Sequence, residues 1–292
     1  MIPEAYAVYL KTEKKMAENT SQAYLRDIRH FSDFAASRGI TDLQEVSSTD
    51  ILAYLMELKT GGRSKSTVNR KLASIRTFYQ YLIKKGVLAD NPTEAIKSPK
   101  VEKKEIQYLS TDEIERLLEL PDDTVKGKRD RAMLELLYAT GIRASELIEM
   151  QTEDVNTRMG FVKCAGTHGT ARIIPIGRPC RNALESYEAQ ARDLLRREQE
   201  TEVLFLNYVG KPFTRQGLWK VLKEYGEQAK FEIPLTPQVI RNSFAVHMLQ
   251  NGADIKSLQE LMGHEDISAT QAYLAVVKNR IKDVYDRTHP RA

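Results

Sequence analysis

From Val68 to Leu82 the apolar residues return every three or four positions: Val68, Leu72, Ile75, Tyr79 and Leu82. That period places all five on one stripe of an α-helix, and no β-strand, whose side chains alternate with period two, can present them on one face. The same spacing recurs through the first hundred residues. Residues 2–15 carry Ile2, Tyr6, Tyr9 and Leu10; Asn19 or Thr20 is placed to cap a second helix bearing Tyr24, Ile28, Phe31 and Phe34. Ser48 is placed to cap a third with Ile51, Tyr54, Leu55 and Leu58, and Gly86 closes the fourth. Four amphipathic helices can hide their stripes only against one another, so residues 1–97 read as a helical domain.

The period then fails. Asn91-Pro92 is followed over 98–106 by SPKVEKKEI, which has Pro99, a run of Lys and no apolar repeat. This is a linker between two lobes. Order resumes with a capping box, Ser110 to Glu113, ahead of Ile114, Leu117 and Leu118. A helix over 128–139 ends at Gly141, the residue expected at a left-handed cap. Extended runs over 161–165 and 171–176 flank His168-Gly169-Thr170 and predict a β-hairpin, with a further short strand over 203–206. Helices are expected over 179–196, 214–228, 237–251 and 254–262, and Ser268 is placed to cap a short one carrying Tyr273. The fold class is therefore mainly α, with a mixed α+β second domain over 107–292 holding a small antiparallel sheet.

A chain of 292 residues at 41% hydrophobic content suits two ordinary cores. It has no apolar run long enough for a membrane span and no basic-then-apolar leader. Cys164 and Cys180 have neither metal-ligand nor disulfide-framework spacing, which points to a reducing, cytoplasmic setting. Residues 1–105 hold 18 Lys and Arg against 13 Asp and Glu, a net +5; the rest hold 26 against 27, a net −1. A basic front half fits a nucleic-acid partner and equally a solvated surface. Opposite the apolar stripe of the fourth helix and in the loop before it lie Arg63, Lys65, Arg70, Lys71 and Arg76, with Ser64, Ser66, Thr67 and Asn69 between them. Cations mixed with short hydroxyl and amide donors suit a phosphate backbone, and such a charge run is as commonly a solvated face.

Chemistry-bearing residues gather in two later segments. Arg143 follows Gly141 at once, with Ser145 and Glu146 starting the next helix. Arg241 lies in an apolar helix among Val239, Ile240, Phe244, Met248 and Leu249, where an unpaired guanidinium is costly, so it should face an anion or a carboxylate. Gly263-His264 follows, and Tyr273 comes nine residues after His264. Taken alone, Tyr273 reads as core packing. The chain shows no acidic cluster for two-metal catalysis and no Gly-Lys-Ser/Thr phosphate loop, so neither metal nor cofactor is expected.

Together, TGIRASEL (140–147), IRNSFAVHML (240–249) and LMGHEDISATQAYL (261–274), with the closing DRTHPRA, resemble the tyrosine recombinase (phage integrase) family in its Xer-like branch. The resemblance covers nearly the whole chain. It implies a four-helix SAM-like core-binding domain whose fourth helix lies on double-stranded DNA, followed by a catalytic domain. It implies that Tyr273 attacks a phosphodiester to form a 3′-phosphotyrosyl bond and that Arg143 and Arg241 hold the non-bridging oxygens. His264 would hydrogen-bond the phosphate. Glu146, three residues after Arg143, reads either as an ion-pair brace for it or as a surface pair worth little. The resemblance further implies a tetramer of protomers on two duplexes, with the C-terminal tail docked on a neighbour.

Three positions depart from the family. Relatives carry Lys in the hairpin turn, where this chain reads GTHGT and places Thr167 and Thr170; they carry His three residues before the second Arg, where Gln238 stands. Neither Thr nor Gln titrates near neutrality, so neither can exchange protons as Lys or His does. His168 in the same turn and Lys163 in the preceding strand are the candidates to replace the missing acid. The expectation is a site-specific recombinase with weakened cleavage, the alternative a DNA-binding relative without strand transfer.

Overall fold

The computed structural model describes residues 4–100, 105–165 and 171–288, and of residues 278–288 the backbone only. The chain divides into two compact units, Met1–Lys104 and Glu105–Ala292.

The first unit holds α1 (Glu4–Thr12), α2 (Glu18–Ser37), α3 (Ser48–Thr60) and α4 (Lys65–Lys84). The stripe read from the sequence is its core: Val68, Leu72, Ile75, Tyr79 and Leu82 are all buried, packed with Ile28, Phe31 and Ile51 of α2 and α3. Tyr6 and Tyr9 of α1 close over Phe78 and Tyr81 as an aromatic cluster. Two expected caps move. The residue before α2 is Ala17, which makes no side-chain cap bond, and α3 is capped one residue early by Ser47, in a reciprocal box with Asp50. Ser48 instead donates its hydroxyl to the Pro92 carbonyl.

The second unit is mostly helical, with α5 (Thr111–Glu119), α6 (Val125–Thr140), α7 (Ala144–Glu149), α8 (Arg178–Tyr187), α9 (Asp193–Arg196), α10 (Arg215–Gln228), α11 (Pro237–Gln250), α12 (Ile255–Met262) and α13 (Ile267–Thr288). Ser110 and Glu113 form the expected capping box on α5. α6 runs through the middle of the unit, buried on several sides (Met133, Leu134, Leu136, Leu137) and packed against α8 and α11. α11 is almost wholly enclosed, so its polar residues Arg241, Asn242 and Ser243 are buried with it. The sheet has three antiparallel strands in the order β1 (Val155–Asn156), β2 (Phe161–Cys164), β3 (Arg172–Pro175), with Lys163 opposite Ile173 and Cys164 opposite Arg172. β2 and β3 are the expected hairpin arms; β1, two residues long, carries too little pattern to read from sequence.

Three expectations in this unit are corrected. The single helix over 179–196 is α8 and α9 joined by a π-helical turn, Glu188–Arg192. Residues 203–206 make only isolated bridges, Gln151 with Val203 and Leu206 with Pro212. Arg192 of that turn donates to the carbonyls of Thr201, Val203 and Leu204, and the hydroxyl of Tyr187, the last residue of α8, also donates to Leu204 O. α13 starts at Ile267 behind Asp266, whose carboxylate accepts the Ser268 amide, so Ser268 is not the cap. It continues to Thr288, where a short helix and a separate tail were expected.

Candidate active site at the end of helix α12

Three successive carbonyls at the C-terminus of α12 each accept a hydrogen bond from a different arginine. Leu261 O takes Arg172 Nε at 2.9 Å, Met262 O takes Arg241 Nη2 at 2.8 Å, and Gly263 O takes Arg143 Nη2 at 2.8 Å. The last turn of a helix has carbonyls without intrahelical partners and carries the negative end of its dipole, so it is a natural seat for cations. Gly263 makes the seat possible. It is the left-handed cap at φ +62°, and a Cβ there would come within 2.9 Å of the Arg172 guanidinium.

Gly141 does the same at the end of α6. It caps that helix at φ +59°, as its place in the sequence predicts, and its carbonyl accepts Arg241 Nη1. Arg241 is therefore 4% exposed yet held by Gly141 O, Met262 O and the His264 ring. Within the chain it is held by carbonyls and an imidazole rather than by a carboxylate. Burial first, and Arg143 second, pull its pKa down to about 10, so it remains charged at neutrality.

Arg143 sits at the N-cap of α7. Its amide donates to Glu146 Oε2 at 2.6 Å and its Nη1 to Oε1 at 3.2 Å, the brace the sequence suggested. The same carboxylate is gripped side-on by Arg172, with Nη1 to Oε1 at 2.8 Å and Nη2 to Oε2 at 2.9 Å. Burial alone would raise the Glu146 pKa; the Arg172 bonds, the Arg143 amide and the two guanidinium charges bring it below the usual range, so it is ionised at neutral pH. Arg172 was not among the residues singled out from the sequence. Its place in a short strand gives no local sign that it turns inward.

His264 Nε2 lies 2.9 Å from Arg241 Nη2, and Nδ1 lies 2.9 Å from the Thr270 hydroxyl. A guanidinium only donates, so Nε2 is the acceptor and the ring proton sits on Nδ1 facing Thr270. Burial, then Arg241, Arg143 and Arg172, depress its pKa to about 4. Tyr273 stacks beside the imidazole, centroids 6.5 Å apart and planes 8° from parallel. The phenol is 5% exposed and donates to Asn242 Oδ1 at 2.9 Å. The same oxygen accepts Gln238 Nε2 at 2.7 Å, and Asn242 Nδ2 donates to Gln107 O at 2.8 Å. Burial raises the Tyr273 pKa, against smaller opposing effects of Arg241 and the Gln238 amide. A cavity of about 350 Å³ lined by Gln107, Gln238, Asn242, Ala269 and Tyr273 opens beside this group. Thr270 and the Asn242 contact, like Arg172, were not foreseen.

Arg143, Arg241, His264 and Tyr273, spread over 131 residues of sequence, thus share one site. Thr167, Thr170 and His168 lie outside the described residues. In the first unit the five basic residues part company. Arg63 and Lys65 are exposed near the start of α4. Arg70 is half-exposed and paired with Asp27, and Arg76 donates to Ile96 O and to Ser98 Oγ. Lys71 departs from the expected exposed face. It is 6% exposed and directed at Asp27, Tyr54 and His30, because α2 and α3 close over that side of α4. Among the described residues no cluster of metal-ligating side chains occurs, Cys164 and Cys180 are buried free thiols, and no helix is long and apolar enough to cross a membrane.

Residues 107–280 match the phage integrase family, and residues 4–86 match the phage integrase N-terminal SAM-like domain. The chain is 41% identical over 291 residues to a tyrosine recombinase XerD of Oceanobacillus iheyensis, covering 99% of this chain and 98% of that one. It is 42% identical over 292 residues to a tyrosine recombinase XerD of Staphylococcus haemolyticus, covering 100% and 99%. Among solved structures, the Tn1549 transposon integrase in complex with transposon right end DNA superposes with a TM-score of 0.74 at 20% identity over 97% of this chain and 98% of that one. The XerH site-specific recombinase bound to palindromic difH substrate gives 0.73 at 20% identity over 91% and 78%. The structural matches speak for the fold; the full-length relatives and the two matched domains speak for descent. The chain belongs to the phage integrase family, as a Xer-like tyrosine recombinase.

Proposed function

We propose that this recombinase cleaves and rejoins double-stranded DNA at a specific site by attack of Tyr273 Oη on a backbone phosphorus. The P–O5′ bond breaks, a 3′-phosphotyrosyl bond forms and the 5′-oxygen leaves as a hydroxyl. Rejoining reverses the exchange and needs no nucleotide fuel, because one phosphodiester replaces another. Arg143 and Arg241 neutralise the non-bridging oxygens, a task for planar donors that never lose their charge. Losing one such donor from a preorganised site costs on the order of 3–4 kcal/mol of transition-state stabilisation. His264 enters as the neutral ring; a phosphate drawing Arg241 towards itself would free Nε2, and His264 donates to a phosphate oxygen once the ring proton sits on Nε2 rather than Nδ1. The observation that carries this reading is the convergence of two guanidiniums, an imidazole and a phenol at the end of α12.

Cleavage is slow in this reading. Thr167 and Thr170 take the places of the family's Lys, Gln238 that of its His, and the phenol rests on a neutral amide that cannot take its proton. The core-binding unit meets the DNA backbone through Arg63 and Lys65, with Arg70 and Arg76 beside them. Four protomers, of one kind or two, assemble on two duplexes in the cytoplasm; the dimer of lambda integrase on its core site is a solved example of protomers sharing DNA. A duplex nicked beside the cleavage site tests the reading, since loss of the short flanking strand traps the covalent adduct. The unaltered chain is expected to accumulate adduct slowly and Tyr273→Phe none, with equal DNA affinity. Equal behaviour of the two proteins, with binding but no adduct from either, would instead assign a DNA-binding relative without strand transfer.

A further inference from the structure

We infer that Arg172 is a positioning residue for the reaction: by holding the Glu146 carboxylate side-on it keeps that carboxylate from neutralising Arg143. The inference rests on the proposed role of Arg143 at the scissile phosphate. Three guanidiniums, Arg143, Arg172 and Arg241, meet at the end of α12, and the first two also contact the Glu146 carboxylate. They are not used alike. Arg172 takes both carboxylate oxygens in a parallel fork at 2.8 and 2.9 Å, the strongest geometry such a pair has, and anchors its own Nε on Leu261 O. Its side chain is 13% exposed, and that of Glu146 10%. Arg143 receives only one side-chain contact from Glu146, at 3.2 Å, and is the most open of the three, its side chain 38% exposed.

A buried carboxylate left with a single guanidinium turns its two oxygens onto it. Without Arg172, Glu146 would fork onto Arg143 and occupy the donors that a phosphate requires. Arg172 therefore does two things. It satisfies a buried anion, and it leaves Arg143 oriented by its amide and by Gly263 O while its outer edge still faces a ligand.

The test is a double-mutant cycle of Arg172→Gln and Glu146→Gln, read by single-turnover adduct formation on the nicked duplex. Arg172→Gln is expected to slow adduct formation roughly 100-fold, the size of losing one oxyanion donor, with little change in DNA affinity. Adding Glu146→Gln removes the competing carboxylate and is expected to restore roughly tenfold of that rate. A brace that is merely structural predicts the opposite, a double variant no faster than Arg172→Gln, and that result overturns the inference. The second readout needs no cleavage: thermal stabilisation by inorganic phosphate, expected in the unaltered chain, lost in Arg172→Gln and regained in the double variant. Phosphate stabilisation without adduct from the unaltered chain would count against the proposed strand transfer and leave the Arg172 assignment standing. Undiminished phosphate stabilisation in Arg172→Gln would count against the assignment alone.

Discussion

Tyr273 donates its phenolic hydrogen to Asn242 Oδ1 at 2.9 Å, and that same oxygen accepts the Gln238 amide at 2.7 Å. The nucleophile of the proposed reaction thus rests in a buried pocket on an acceptor with no basicity at neutral pH. Burial, which raises the phenol's pKa, holds it in the same protonated state. Gln238 stands where the family carries histidine, so its contact with this acceptor follows from this chain's own substitution.

Restoring a titratable group at that place should speed the chemistry. Gln238→His combined with Thr167→Lys is expected to raise the rate of adduct formation on nicked DNA by roughly 100-fold, the lower range of general acid–base effects. Single-turnover gel assays measure it. An unchanged rate would mean that another group, with His168 and Lys163 the first to examine, already moves the proton.

The imidazole of His264 makes stability depend on acid. Its folded pKa, about 4, lies below the ordinary 6.5, so between those values the unfolded chain binds a proton that the folded one does not. Stability should therefore rise with pH from about 4 to about 6.5 and lose this dependence above. In His264→Asn, urea unfolding across that range should show a shallower slope. An identical slope in both proteins would assign the dependence to other groups.

Gly141→Ala should be costly for two separate reasons. The position is left-handed, and the new Cβ would stand 2.3 Å from the Phe244 ring. Together these are worth about 2–4 kcal/mol. Gly252, equally left-handed at φ +91° but with open space around it, supplies the control, and Gly252→Ala should cost about 1 kcal/mol. Thermal unfolding of the two variants separates strain from collision.

Lys71 and Arg63 should exchange the roles that a shared basic face suggests. Lys71→Met leaves Asp27 with Arg70 alone and should destabilise the first unit by about 2–3 kcal/mol. Arg63→Ala should leave stability unchanged while lowering DNA affinity and reducing the slope of log K against log salt by about 1. A salt titration beside a denaturation curve for each variant distinguishes them.

Local physics was legible in the sequence and tertiary partnership was not. The stripe from Val68 to Leu82, the Ser110–Glu113 capping box and the left-handed cap at Gly141 are read correctly because helix period, capping and glycine's backbone freedom act over a few residues. The motifs around Arg143, Arg241, His264 and Tyr273 were legible too, as a resemblance. What the sequence alone could not decide is where each charge finds its counterpart. Lys71 and Arg76 stand on the same helix with the same formal charge, yet one is sealed against Asp27 and the other ties down the Ile96 carbonyl. Arg172 looks like any strand residue until folding places it beside Glu146, 26 positions away, and the end of α12 becomes a seat for three arginines only when β3, α7 and α11 meet there. Periodicity and caps are short-range and repeat in the chain itself. The environment of a buried charge is supplied by residues from distant elements, so it exists only in the folded structure.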